Sequence, residues 1–332
     1  MRPWSTNLVV AAVLTALTLL LTYPLALHPG TTVTDLGDPL LNTWILAWDV
    51  EQITAGNIAT FFDANIFHPE PRALAFSEHM TVQGLMGAPV LWLGASPLLA
   101  YNLLVLAGLA LSAWAMWLLL ARWTGSAAAG AVAGTLVAFN AHTLTRLPHL
   151  QALHLEFIPL VLLALDRLLV ERRLRDAMVL GIACALQGLT SNYLLVFMAL
   201  AVAVGLGVRA DEWRRPAPAR TTALIGVAAV VAAVMLVPFL YPYYLTQRDQ
   251  GLTRGLDEVA LYSSTWRDYL STAGRLHYGT WSHRFFEGTT SLFPGLLATI
   301  LALVALVAKP GLRDPRIRMT AAIGVAGVAL SF

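Results

Sequence analysis

Apolar residues run along most of this chain, broken at intervals by short polar stretches and twice by long ones. Apolar runs approaching or exceeding about eighteen residues mark helices that cross a bilayer, whose hydrocarbon core takes roughly twenty residues of helix. In lipid each backbone N–H and C=O must find its partner within the segment. The runs lack the period-two alternation of a membrane barrel, so helix is the expected form. The pattern predicts spans over residues 8–27, 97–121, 126–141, 150–170, 177–192, 193–208, 221–245 and 291–308, with a final run over 319–332. This is an all-α, polytopic transmembrane helix bundle of about nine spans, one unit over 1–332. The last run is short of a bilayer's thickness, so a C-terminal continuation is expected. The first run is longer than a signal-peptide core and lacks a small-x-small cleavage site, so it reads as an uncleaved helix.

Charge placement gives the expected orientation. The chain is 12% charged, half of what a soluble domain carries, which removes the soluble class. Arg172, Arg173 and Arg175 share one short loop; Arg209, Arg214, Arg215 and Arg220 share a second; Lys309, Arg313, Arg316 and Arg318 share a third. With Arg2 and Arg122 they fall on one side of the predicted spans, expected to be cytoplasmic. The long loops 29–82 and 246–290, with most of the acidic residues, then lie outside. Keeping that parity requires the apolar stretch 82–95 to be re-entrant or interfacial, in line with its length and its Gly84, Gly87, Pro89 and Gly94. No basic stripe interleaves with aromatics, so nucleic acid is not an expected partner. Cys184 is the single cysteine, which rules out an intrachain disulfide.

Chemistry-bearing residues collect in the outer loops. The first opens Asp35-Leu36-Gly37-Asp38-Pro39, and Asp38 before Pro39 reads as a helix N-cap. The helix it starts has Leu40, Leu41, Trp44, Ile45 and Trp48 on one face, with Asn42, Asp49 and Gln52 elsewhere. That pattern suits an amphipathic helix lying along the membrane surface. Asp35 lacks the N-cap explanation, and carboxylates at a dry boundary are where a general base can be tuned. His68, Glu78 and His79 follow; Glu78 with His79 is either an ordinary loop pair or a ligand set for a divalent ion.

Between the third and fourth spans, His142, Arg146 and His149 recur at i, i+4 and i+7, and Gln151 follows. This is an outer cationic cluster suited to phosphate, with snorkelling to lipid headgroups as the alternative. Glu156 is a candidate partner for Arg146. The second long loop mixes aromatics with Arg248, Arg254, Arg267, His277, His283 and Glu287, which suits a sugar surface or any solvated loop.

The run 35–39 with Trp44 and Trp48, then Phe67-His68-Pro69, Ser77-Glu78, Ala100-Tyr101-Asn102 and Arg146 with His149-Leu150-Gln151 resembles the bacterial membrane glycosyltransferases of the GT-C superfamily. These enzymes are similar to protein mannosyltransferases and aminoarabinose transferases. The resemblance runs from the first helix to Phe293-Pro294-Gly295. It implies transfer of a sugar, with inversion, from a polyprenyl-phosphate donor to an envelope glycan, lipid or protein acceptor. The reaction would take place on the outer face of the bacterial plasma membrane, with the N-terminus cytoplasmic. Asp35 and Asp38 stand where the family keeps its catalytic carboxylates, Arg146 and His149 are candidates for the phosphate, and some relatives use a divalent metal. A lipid or sugar flippase and a non-catalytic scaffold remain the other readings.

Overall fold

The computed structural model describes residues 3–332 apart from 216, 252, 254 and 288–290, with side chains from residue 6 onward; Arg2 and Arg254 lie outside the described residues. Every regular element among the described residues is helical. Helix α1 (Pro3–Leu21) leads into the first long loop, which holds α2 (Asp38–Ala55) and α3 (Thr81–Trp92). Then come α4 (Pro97–Thr124), α5 (Ala127–Ala138) and the short α6 (Ala141–Thr145) and α7 (Leu150–Leu153). Next in order are α8 (Phe157–Glu171), α9 (Leu174–Thr190), α10 (Asn192–Val208), the short α11 (Ala210–Arg214) and α12 (Pro218–Gln250). The second long loop carries α13 (Leu256–Tyr262) and α14 (Arg275–Thr280), and the chain closes with α15 (Leu296–Val307) and α16 (Pro315–Leu330).

Each predicted apolar run is occupied by helix. Three stretches are long and apolar enough to cross a membrane: α4, the Ala127–Thr145 stretch joining α5 to α6, and α12. Shorter apolar helices occupy Thr6–Leu21, Asn192–Val208 and Leu296–Val307. The run 150–170 is not one helix, since it breaks at His154–Glu156. The break is held by polar bonds: His154 Nδ1 meets Glu156 Oε1 at 2.8 Å, Ser112 Oγ donates to Leu153 O, and Gln187 Nε2 donates to His154 O. Glu156 therefore pairs with His154 and not with Arg146. Buried polar groups need such partners, and here Ser112 and Gln187 satisfy backbone that the break leaves open.

Helix α4 is the most enclosed of the three long stretches, and α5 lies flat against it. Small residues make that approach possible: a Cβ on Gly130 would stand 2.6 Å from Trp117 O, and Gly134 faces the Ala113 carbonyl as closely. A small-x-x-x-small stripe is a common way for helices to pack where water supplies no drive. Helix α3 is wedged among α2, α4 and α9. Its twelve residues span about 18 Å, short of a bilayer core.

Polar side chains sort the molecule into two ends. At one, the fully buried Arg209 bonds Asp166 Oδ1 through Nη1 (2.7 Å) and Glu212 through Nε and Nη2 (2.8 and 2.5 Å). Arg316 adds a bond to Asp166 Oδ2 (3.0 Å) while lying over Trp123, and Arg172 reaches the carbonyls of Glu212 and Arg215. All the short arginine loops after α4 meet there. At the other end the first long loop is tied to the end of α12 through Arg72 and Asp249 (2.6 Å), Gln250 and Glu70, and Tyr243 and Ser77 O. The last residues of α16 also reach this end, where Ser331 bonds Ser264 N and Tyr269.

The arginine end supplies a test. Arg209→Met breaks the buried pair with Asp166 and leaves that acid to Arg316 alone, a loss of about 3–5 kcal/mol for breaking a buried pair. Its heating midpoint in detergent should fall well below that of the parent chain, whereas Arg175→Met, at an exposed site, should leave it unchanged. Equal midpoints would contradict the latch.

Candidate functional site

The end that gathers the long loops holds a cavity of about 840 Å³. Six of the residues singled out in the sequence line it: Asp38, Glu78, His142, Arg146, His149 and Gln151. They arrive from the head of α2, the loop before α3 and the α6–α7 segment. The α9–α10 junction, with Ser191 and Asn192, and Tyr243 of α12 complete the wall.

The two aspartates divide their roles differently from the expectation. Gly37 is the N-cap of α2 and Asp38 its first residue, so Asp38 does not cap; its Oδ2 lies 2.6 Å from His149 Nδ1. Asp35 turns to its own chain, where Oδ1 accepts Gly37 N at 2.6 Å in a local turn. It does not line the cavity, because that turn holds its carboxylate in the loop.

Helix α2 turns its polar residues, and not Leu40 and Leu41, to the protein. Leu40 and Leu41 are 48% and 39% exposed, while Asn42, Asp49 and Gln52 are buried with Ile45, Leu46 and Val50. The polar residues face the protein because partners lie there: Asn42 Nδ2 donates to Gln151 Oε1 at 3.3 Å. The two leucines look outward.

The 142–151 segment is helical only to Thr145, where α6 ends, and a turn through Pro148 carries the rest, so His142, Arg146 and His149 share the cavity without sharing one helix face. His142 Nδ1 donates to Ser291 O at 2.7 Å, tying this segment to the second long loop. Arg146 is exposed on the cavity wall and has no ion-pair partner among the described residues. An arginine so placed is available to an anion.

Glu78 is buried. Its Oε1 accepts Ser191 Oγ (2.9 Å) and Tyr193 N (3.2 Å), while Oε2 is enclosed without a partner. Burial raises its pKa against the lowering effect of those bonds. His79 turns elsewhere: Nδ1 meets Thr81 Oγ1 at 2.7 Å, and the ring packs against Phe62, Phe239 and Tyr243. Burial pushes His79 down to about 4. Glu78 and His79 therefore do not fit a metal site. His79 does not reach the cavity, and among the described residues no three His, Cys, Asp or Glu side chains converge as ligands. His68 is exposed in its loop, and Glu287, 70% exposed, pairs with Arg267; both lie away from the cavity.

Sequence reasoning missed two residues of the cavity wall and one buried acid outside it. Ser191 and Tyr243 sit where apolar runs meet or end, and nothing local marks them. Asp49, treated as a polar-face residue, is buried with both oxygens unpartnered and pressed against α3, where a Cβ on Gly84 would lie 2.9 Å from its own. Burial holds its pKa well above the ordinary carboxylate value, so the group is neutral over a wider range than a surface aspartate.

No family model, no curated protein and no solved structure matches this chain.

The two buried groups give opposite pH dependences. The folded chain keeps the Asp49 proton to higher pH than the unfolded chain, so Asp49 lowers stability as pH rises above the ordinary carboxylate range. Asp49→Asn should remove that slope and gain most near neutrality. His79 is the reverse: between about 4 and 6.5 the unfolded chain binds the extra proton, so stability falls as pH drops through that window. His79→Gln should flatten that acid loss. Heating midpoints in detergent from pH 4 to 8 check both; curves parallel to the parent's would contradict them.

Proposed function

We propose that this chain is a multi-pass membrane glycosyltransferase of the GT-C kind. It moves a sugar from a polyprenyl-phosphate donor to an acceptor on the outer face of the bacterial plasma membrane, with the Arg209–Asp166 end in the cytoplasm. The observation that carries the reading is the cavity wall itself: a carboxylate paired with an imidazole, Asp38 and His149, shares it with the unpaired guanidinium of Arg146.

A second cavity supports it. A largely apolar groove of about 620 Å³ runs between α10, α13 and α16, and Phe197 lines both it and the polar cavity. A donor with a charged head and an apolar tail meets a polar pocket and an apolar groove that adjoin. The head then sits at the end of the bundle where a lipid-borne phosphate is presented. Arg146 is suited to that phosphate, because a guanidinium offers planar, paired donors to its oxygens. Charge on the leaving phosphate develops in the transition state, so a cation held there accelerates the bond cleavage. The carboxylate–imidazole pair takes part in activating the acceptor hydroxyl, and one displacement inverts the anomeric carbon.

The test uses the purified chain in phospholipid nanodiscs, a panel of polyprenyl-phosphate hexoses and pentoses, and envelope fractions as acceptor. Wild-type protein should release polyprenyl phosphate and pass the sugar on. Arg146→Gln should slow this by about 10²–10³-fold. Wild-type protein that leaves every donor intact contradicts the reading, as does an unimpaired Arg146→Gln. Donor that crosses a vesicle bilayer with its sugar still attached would mark a flippase instead.

A further inference from the structure

The contact at the head of α2 bears on which atom takes the acceptor's proton. Asp38 Oδ2 and His149 Nδ1 are 2.6 Å apart, and the two residues come from loops 111 positions apart in the chain. An ionised carboxylate can only accept, so the hydrogen of that bond sits on Nδ1. The neutral ring then carries its lone pair on Nε2, which has no protein hydrogen-bond partner among the described residues. Both side chains are partly exposed to the same cavity.

We propose that His149 is the general base of the transfer and that Asp38 is its positioning residue, fixing the ring's tautomer and balancing the imidazolium that forms. The proposal rests on the sugar-transfer reading. The ring offers an open lone pair to the acceptor hydroxyl, and the carboxylate bonded to its far nitrogen balances the charge that proton transfer creates. His142 lines the same cavity but turns Nδ1 to a backbone carbonyl, Ser291 O, and has no carboxylate to balance a positive ring.

The step balances without any redox partner. The acceptor oxygen bonds the anomeric carbon while the bond from that carbon to the donor's phosphate oxygen breaks. The acceptor proton passes to His149 Nε2, and the electron pair of the broken bond leaves on the phosphate, which Arg146 holds. After the products depart, the imidazolium returns its proton to solvent at the cavity.

Two measurements on the full chain in nanodiscs decide the matter. In the first, transfer from whichever polyprenyl-phosphate sugar the wild type uses is followed for His149→Ala, His149→Gln, Asp38→Asn and the double variant. Each single change should lower kcat by about 10²–10⁴-fold with little change in the donor KM. The double variant should be no slower than the worse single, as befits residues acting as one unit. A higher KM at unchanged kcat makes His149 a binding residue and overturns the proposal. So does a near-active His149→Gln beside a dead Asp38→Asn, which would make Asp38 itself the base.

The second measurement needs no turnover. The ¹⁵N resonances of labelled histidine, assigned by their loss in folded His149→Gln, should show a protonated Nδ1 and a bare Nε2 for residue 149. The opposite tautomer in the neutral ring overturns the assignment. A wild type that consumes no donor while showing the expected tautomer would be a failure of the sugar-transfer reading, which the first measurement registers separately.

Discussion

Charge is costly in hydrocarbon, and that cost organises this molecule. A bundle of apolar helices keeps most of its charges at its two ends, and the sequence supplies two very different sets. One end collects arginines in loops too short to reach far, so they close on the few acids nearby. Asp166 accepts from Arg209 and Arg316 together, and Glu212 completes the shell around Arg209. The other end receives two long loops with both signs of charge and many aromatics, enough chain to build walls. A cavity forms there because the loops are long and their polar residues find partners across it.

Where polar groups do enter the bundle, they serve the backbone. The break between α7 and α8 frees carbonyls and amides, and Ser112 and Gln187 take them up while His154 and Glu156 bond each other. Asp49 is the contrary case. It is buried without a hydrogen bond, with its pKa raised by burial, and it packs where α2 and α3 come closest. Glu78 stands between the two situations, with one oxygen tied to the α9–α10 junction and the other enclosed beside the cavity. The site thus draws on two parts of the first long loop, the α6–α7 segment, the α9–α10 junction and α12.

Much of this was legible beforehand, and for identifiable reasons. Apolar runs announce helices directly, so all nine runs carry helix, although where one helix breaks into two depends on polar partners far away in sequence. Periodicity placed His142, Arg146 and His149 on a common side, and the turn at Pro148 kept them together. Spacing could not tell Asp35 from Asp38. The distinction comes from Gly37, whose amide captures the first, and from His149, 111 positions on, which captures the second. The sequence left open where the polar residues of α2 point, because a partner such as Gln151 for Asn42 lies far along the chain. Glu78 was legible as a candidate but not as a buried one, since burial comes from Ser191 and Tyr193.

The central claim is that the cavity and the arginine latch lie on opposite faces of a membrane. Single cysteines at Thr145 and Ala219, both exposed, report on it in a Cys184→Ser background. A membrane-impermeant maleimide added to intact cells should label Thr145→Cys at once and Ala219→Cys only after the cells are permeabilised. Labelling of Ala219→Cys in intact cells with Thr145→Cys protected would place the cavity in the cytoplasm and contradict the account.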